Sequence, residues 1–248
     1  MKIIGSDYDG TLNHNGIDDN KREAIERWRA AGNVFAIVSG RGVGDIVKIY
    51  EEKKFGCDYF VADNGALIMT PDGETISEVR CDGGVAHSLI STLFESGCNR
   101  AFVHTDFPCT VYAFEQEDME KCNYLFENMP AIEWFTQIST ILPDFESAQR
   151  VTAIIREKFG DKVNPMQNGI CIDIVRNDMN KARGLYILAE HLGAGYDDII
   201  AVGDNINDRD MIAEFRSYAM ENGVDSIKDL AHYVISDVTE LIEKELDT

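Results

Sequence analysis

A chain of 248 residues with 44% hydrophobic and 9% aromatic content can build one large core or two modest ones. Its formal charge of −21 argues against a nucleic-acid partner, which would need a basic stripe, and no basic amphipathic stretch offers an anchor to an anionic membrane. No apolar run reaches the length of a bilayer span.

Met1 runs straight into "KIIGSD" with no charged-then-apolar leader, which predicts a cytoplasmic protein. Six cysteines without a C-x-x-C pair predict reduced thiols, not a disulfide framework or a zinc site. "KIIGSD" reads as a buried strand. "DDNKREAIERWRAAG" reads as an amphipathic helix, with Ala24, Ile25 and Trp28 on one face and Gly32 closing it. "NVFAIVS" is a second strand, "VGDIVKIYEEKK" has helical spacing, and "CDYFVAD" is a third strand. Strands that are nearly all apolar, alternating with helices, predict a parallel sheet covered on both faces.

After Asn64-Gly65 the rhythm changes. "ALIMTPDGETISEV" predicts a hairpin turning at Pro71-Asp72-Gly73. A helix near 84–97 follows, then strands at "AFVHT" and "TVYAFEQ", a helix near 118–128, an apolar piece near 133–142, a helix near 144–159 and a strand at "GICIDIVR". In that strand Ile170, Ile172 and Ile174 fall on one face and Asp173 on the other. From about residue 180 the first rhythm returns with "NKARGLYILAEHLG" and "DIIAVGD". The simplest account is α/β: a Rossmann-like parallel-sheet domain at 1–81 and 179–248, interrupted by an α+β insert at 82–178.

Three apolar strands end in chemistry. The first ends in Asp7-x-Asp9, the second in Ser39-Gly40-Arg41, and a later one in Asp204, followed by Asn205, Asn207 and Asp208. Ligands of open parallel sheets bind at the carboxyl ends of strands, so these groups are expected to converge. Gathered carboxylates repel one another; at about 4 Å a pair costs ~1 kcal/mol in water and ~4 at an effective dielectric near 20. A divalent cation reverses that sign, and an all-oxygen ligand set without His or Cys points to Mg²⁺.

A small phosphate ester suits such a pocket. Asp7 would attack phosphorus and form an aspartyl-phosphate. Asp9 would protonate the leaving oxygen and then deprotonate the hydrolytic water. Lys181, in the first turn of its helix, would pair with Asp7 and the phosphate; a cation there opposes the helix dipole, which favours a functional role. Ser39 would donate to a phosphate oxygen near the helix that follows Gly44, and equally suits a helix N-cap. Arg41 is read both as a substrate contact and as a surface arginine, and Asn64-Gly65 both as a hairpin turn and as part of the site.

"DYDGTL", "SGR", "NKARGL" and "GDNINDRDMI" resemble the four motifs of haloacid dehalogenase superfamily phosphatases, and "AMENGVDSIKDLAHYVISD" is similar to a segment of the Cof-like branch. The resemblance spans nearly the whole chain. It implies an α/β cap between the second and third motifs, sugar phosphates as leading substrates, Asp7 as nucleophile and Asp9 as acid/base. It also implies phosphate binding by Ser39 with Gly40 and Arg41 beside it, and Asn64 near the site. The implied metal set is Asp7, the Asp9 carbonyl and Asp204, with Asn207 and Asp208 near the ion or orienting Lys181. The departures are Ser39 for the commoner Thr, Ala182 after the lysine, and Glu221 where Gly is frequent. A phosphomutase of related build and a non-catalytic phosphate sensor are the competing readings.

Overall fold

The computed structural model describes residues 1–105 and 108–247. The chain divides into two compact units, Met1–Ser77 with Asn180–Thr248, and Glu78–Met179. In chain order the first segment holds β1 (Ile3–Asp7), α1 (Asp19–Ala30), β2 (Val34–Val38), α2 (Val43–Lys53), β3 (Tyr59–Ala62), β4 (Leu67–Met69) and β5 (Thr75–Glu78). The middle holds β6 (Cys81–Asp82), α3 (Ala86–Glu95), β7 (Arg100–His104), β8 (Thr110–Ala113), β9 (Tyr124–Leu125), β10 (Trp134–Phe135), β11 (Gln137–Ile141), α4 (Phe145–Phe159), β12 (Val163–Asn168) and β13 (Cys171–Arg176). The last segment holds α5 (Lys181–Leu192), β14 (Ile199–Gly203), α6 (Arg209–Glu214), β15 (Arg216–Met220), α7 (Asp225–Lys228), β16 (Tyr233–Ile235) and α8 (Val238–Leu246).

The main sheet runs β16-β15-β14-β1-β2-β3-β4-β5. From β16 to β3 every pairing is parallel, and β4 turns back antiparallel on β3. Alternation along the strands builds two cores. Ile4, Phe35, Ile37, Ile200 and Val202 meet Ala24, Ile25 and Trp28 of α1 and Leu241 and Ile242 of α8. Ile3, Val34, Ala36, Ile199 and Ala201 meet Leu185 and Leu188 of α5 and Met211 and Ile212 of α6. Burial on both faces is why these strands read as unbroken apolar runs.

In the Glu78–Met179 unit a six-stranded sheet, β12-β13-β11-β7-β8-β9, carries α3 and α4 over one core. The unit begins before residue 82 because Cys81 and Asp82 pair with Phe135 and Trp134. Three readings of this region are corrected. No helix spans 118–128: Tyr124–Leu125 adds to the edge of β8, and Asn123 exchanges bonds with Val111 through both its amide N–H and its side-chain oxygen. Edge pairing outweighs the helical pattern there, and Lys121 takes a positive φ of 64°. The strand β12 lay unread because Pro165 sits within it; β12 is an edge strand, where a missing N–H is tolerated. Ile170 is exposed in the turn before β13, while Ile172 and Ile174 face the core as expected.

No disulfide joins any of the six cysteines, and burial pushes the Cys57 thiol up to about 12. Among the described residues no helix is long and apolar enough to cross a membrane.

Candidate active site

The carboxyl ends of β1 and β14, neighbours in the sheet, bring the first and last acidic motifs together. Asp7 closes β1 and is 5% exposed. The chain then makes one wide helical turn, Tyr8–Leu12, broken at Asp9 and Gly10. Gly10 has a φ of +81°, and a Cβ there would lie 2.4 Å from Asp204 Oδ2, so only glycine lets this turn close on Asp204. Thr11 Oγ1 donates to Asp204 Oδ1 at 3.0 Å, and Asn222 Nδ2 donates to the Gly10 carbonyl at 2.9 Å.

Lys181 opens α5, behind an Asn180 cap that accepts the Arg183 N–H. The start of α5 lies against the β3–β4 turn: a Cβ on Gly184 would lie 2.5 Å from Gly65 Cα. This close backbone approach fixes the lysine's origin. Its side chain is fully buried, with Nζ donating to Asp7 Oδ1 at 2.7 Å and to Asp208 Oδ1 at 2.5 Å. The other Asp208 oxygen accepts the Asp204 and Asn205 N–H groups, so this carboxylate is engaged at both ends. It orients Lys181 and the Asp204 loop at once.

Burial first, then the charge of Asp208, pushes the Asp7 carboxyl well above its ordinary value, and Lys181 opposes that shift. Burial alone would lower the Lys181 ammonium; Asp208 and Asp7 outweigh it and hold the group above the usual lysine range. Burial and then Asp208 also raise Asp204, against the Thr11 hydroxyl. Carboxylates of Asp7, Asp204 and Asp208 offer oxygens within 4.8 Å of one another. An all-oxygen set suits a hard cation, and a buried side-chain oxygen of Asn207 has no hydrogen-bond partner among the described residues, as an oxygen ligand would require. Asp7 and Asp204 fit a divalent ion best, because Asp208 is already committed.

The second motif is also assembled. Ser39, 2% exposed, accepts the Arg41 N–H on its hydroxyl oxygen. Ser39 and Arg41 carbonyls accept the Asn64 and Asp63 N–H groups, with Gly40 between them. Ser39 is not a helix cap: α2 begins at Val43 behind Gly42, one residue ahead of Gly44. Asn64 is buried in the left-handed region, as a turn residue. Arg41 directs its guanidinium at Asp9, with Nε to Oδ2 at 2.6 Å and Nη2 to Oδ1 at 2.9 Å. Sequence reasoning passed over Thr11 and Asn222 as contacts of the site. The Thr stands in the first motif, but nothing in the sequence shows Asn222 reaching Gly10.

The description "haloacid dehalogenase-like hydrolase" belongs to the family that matches residues 4–241. A provisionally named phosphatase of Buchnera aphidicola is 26% identical over 245 residues, which is 92% of this chain and 87% of the relative. An HMP-PP phosphatase of Klebsiella pneumoniae is 24% identical over 242 residues, covering 92% of this chain and 86% of its own length. The solved structure of a subclass IIB sugar phosphatase superposes with a TM-score of 0.80 at 17% identity, covering 99% of both chains.

Proposed function

The chain belongs to the haloacid dehalogenase-like hydrolase family and is a phosphatase, and from that premise we propose a Mg²⁺-dependent enzyme that hydrolyses small phosphomonoesters through an aspartyl-phosphate on Asp7. The observation that carries this reading is the buried Lys181 between Asp7 and Asp208, with Asp204 in reach. Mg²⁺, held by Asp7, Asp204 and the Asp9 carbonyl, would supply positive charge that offsets carboxylate repulsion and draws in a phosphate dianion.

The remaining chemistry falls to the chain itself. Asp7 attacks phosphorus with a carboxylate oxygen, and the bond from phosphorus to the leaving oxygen breaks. Asp9, released from Arg41 and carrying a proton, gives it to that oxygen, which departs as an alcohol. Asp9 then takes a proton from water, whose oxygen attacks phosphorus and frees Asp7 and inorganic phosphate. Lys181 opposes the upward push of burial on the Asp7 carboxyl, favouring its ionised form, and balances the incoming charge. Ser39 donates its hydroxyl to a phosphate oxygen. Sugar phosphates are the leading substrates, by analogy with the structural relative, and we assign the choice among them to the Glu78–Met179 unit.

A phosphate-release screen over metabolite phosphates with Mg²⁺ tests the proposal beside Asp7→Asn. The variant is expected to fold normally and to lose at least ~10⁴-fold in kcat, on the scale of other lost nucleophiles. EDTA should stop wild-type turnover and Mg²⁺ restore it. Comparable activity in Asp7→Asn would remove the nucleophile; an isomerised product in place of free phosphate would favour a mutase.

A further inference from the structure

The feature that marks Lys181, a cation in the first turn of a helix, recurs at a residue outside the motifs. Lys21 stands in the first turn of α1, against the helix dipole, and is only 4% exposed. Its ammonium donates to the carbonyls of Leu12 at 3.1 Å, His14 at 2.6 Å and Gly16 at 2.8 Å, and lies 3.1 Å from Asp237 Oδ2. An ammonium has three N–H donors, so each carbonyl can take one while the Asp237 carboxylate balances the charge.

Those carbonyls belong to the segment that leaves the Tyr8–Leu12 turn. The segment is tied back to the turn, with Asn13 N–H on the Tyr8 carbonyl at 2.9 Å and His14 N–H on the Thr11 carbonyl at 3.1 Å. The turn in turn carries Asp9 and also Thr11, which holds Asp204. Lys21 touches none of the reacting groups, yet it links their loop to the first turn of α1 and to the Asp237 cap of α8.

We propose that Lys21 is a positioning residue: it gathers the carbonyls of residues 12–16 and thereby holds the turn that presents Asp9 and Thr11. The proposal rests on the reading of Asp9 as acid/base given above. Removing the ammonium leaves the carbonyls without a donor and lets the turn drift, and a displacement near 1 Å in a positioned group costs about 10²-fold in rate.

Lys21→Met keeps the apolar stem and is compared with wild type by kcat, KM and amide exchange at Asn13 and His14. The expected result is faster exchange at those two amides and a kcat lower by about 10²-fold, with KM little changed. In Lys21→Ala, butylammonium should restore kcat with saturation, and tetramethylammonium at equal ionic strength should not. A Lys21→Met protein that melts earlier but keeps wild-type kcat and exchange makes Lys21 a stability residue only and overturns the proposal. If Lys21→Met does not fold, the Lys21→Ala pair decides, and recovery of the fold with amine but without recovery of kcat overturns it as well. Raised exchange in Lys21→Met, beside a wild type that releases no phosphate, supports the anchoring and counts against the reaction assigned above.

Discussion

Asp7, Lys21, Asp63, Lys181, Asp208 and Glu245 are all buried in the parallel-sheet unit, whereas among the described residues the buried polar side chains of Glu78–Met179 are neutral, namely Thr92, Thr136, Gln137, Thr140 and Thr152. The two units are comparable in core quality, each with a contiguous cluster of fully buried aliphatic and aromatic residues. They differ in what their interiors are asked to do. Burying an ion costs several kcal/mol before its partner recovers any of it, so an apolar or neutral interior is the cheaper way to be stable. Charges persist inside one unit because oxygen and nitrogen atoms must stand at fixed places there. Two of these charges serve different ends of the same sheet. Lys181 organises the carboxyl ends of the strands, while Glu245 of α8 latches Lys2, Arg216 and Tyr218 away from the chemistry.

The largest effect that would break this contrast is expected at Lys181. Lys181→Met leaves Asp7 and Asp208 facing each other without a cation and should cost about 3–5 kcal/mol in urea unfolding, together with turnover. A variant as stable as wild type would show that the acids tolerate burial unaided, and the contrast between the units would fail.

A smaller effect is expected at Glu245, and its pH dependence sharpens the comparison. Burial alone would raise this carboxyl, but Tyr218 and Arg216 outweigh it and hold it below the ordinary 4.5. With the folded value below the unfolded one, ionised Glu245 stabilises the fold at neutral pH. That share fades as pH falls below 4.5 and is gone beneath the folded value. Glu245→Gln should therefore be about 1–3 kcal/mol less stable than wild type at pH 7, with the gap closing on acidification. A gap that widened in acid would reverse the sign of the assignment.

The smallest effect belongs to the neutral interior. Thr140→Val removes the hydroxyl bond to the Arg100 carbonyl and should cost only about 1 kcal/mol, with no change in kcat. A loss near that of Lys181→Met would mean that the second unit, too, depends on specific polar contacts.

Much of the candidate site was legible in the chain. Asp7, Ser39 and Asp204 stand at the ends of apolar runs, and the parallel-sheet rule brings such ends to one edge. Lys181 was legible because a lysine in a first turn is electrostatically out of place. Lys21 carries the same mark, but no motif surrounds it, and its partners are backbone carbonyls that leave no trace in residue identity. The insert was harder to read. Its edge strand β12 contains Pro165, and a positive-φ Lys121 shortly precedes the two-residue edge strand β9, so local periodicity misdirects.

By itself the sequence determined the alternation of strands and helices, the order of the acidic motifs and the presence of a second module, because hydrophobic period and chain order are properties of neighbours along the chain. Only the tertiary structure decided that Asp208 spends both oxygens on Lys181 and the Asp204 loop, that Arg41 grips Asp9, and that Asn222 and Lys21 hold the turn between the two. These are contacts between residues distant in sequence, or onto backbone atoms common to every residue. A side chain's choice among such partners is settled by distance and desolvation in the folded chain, and neither can be read from the identity of its neighbours in the sequence.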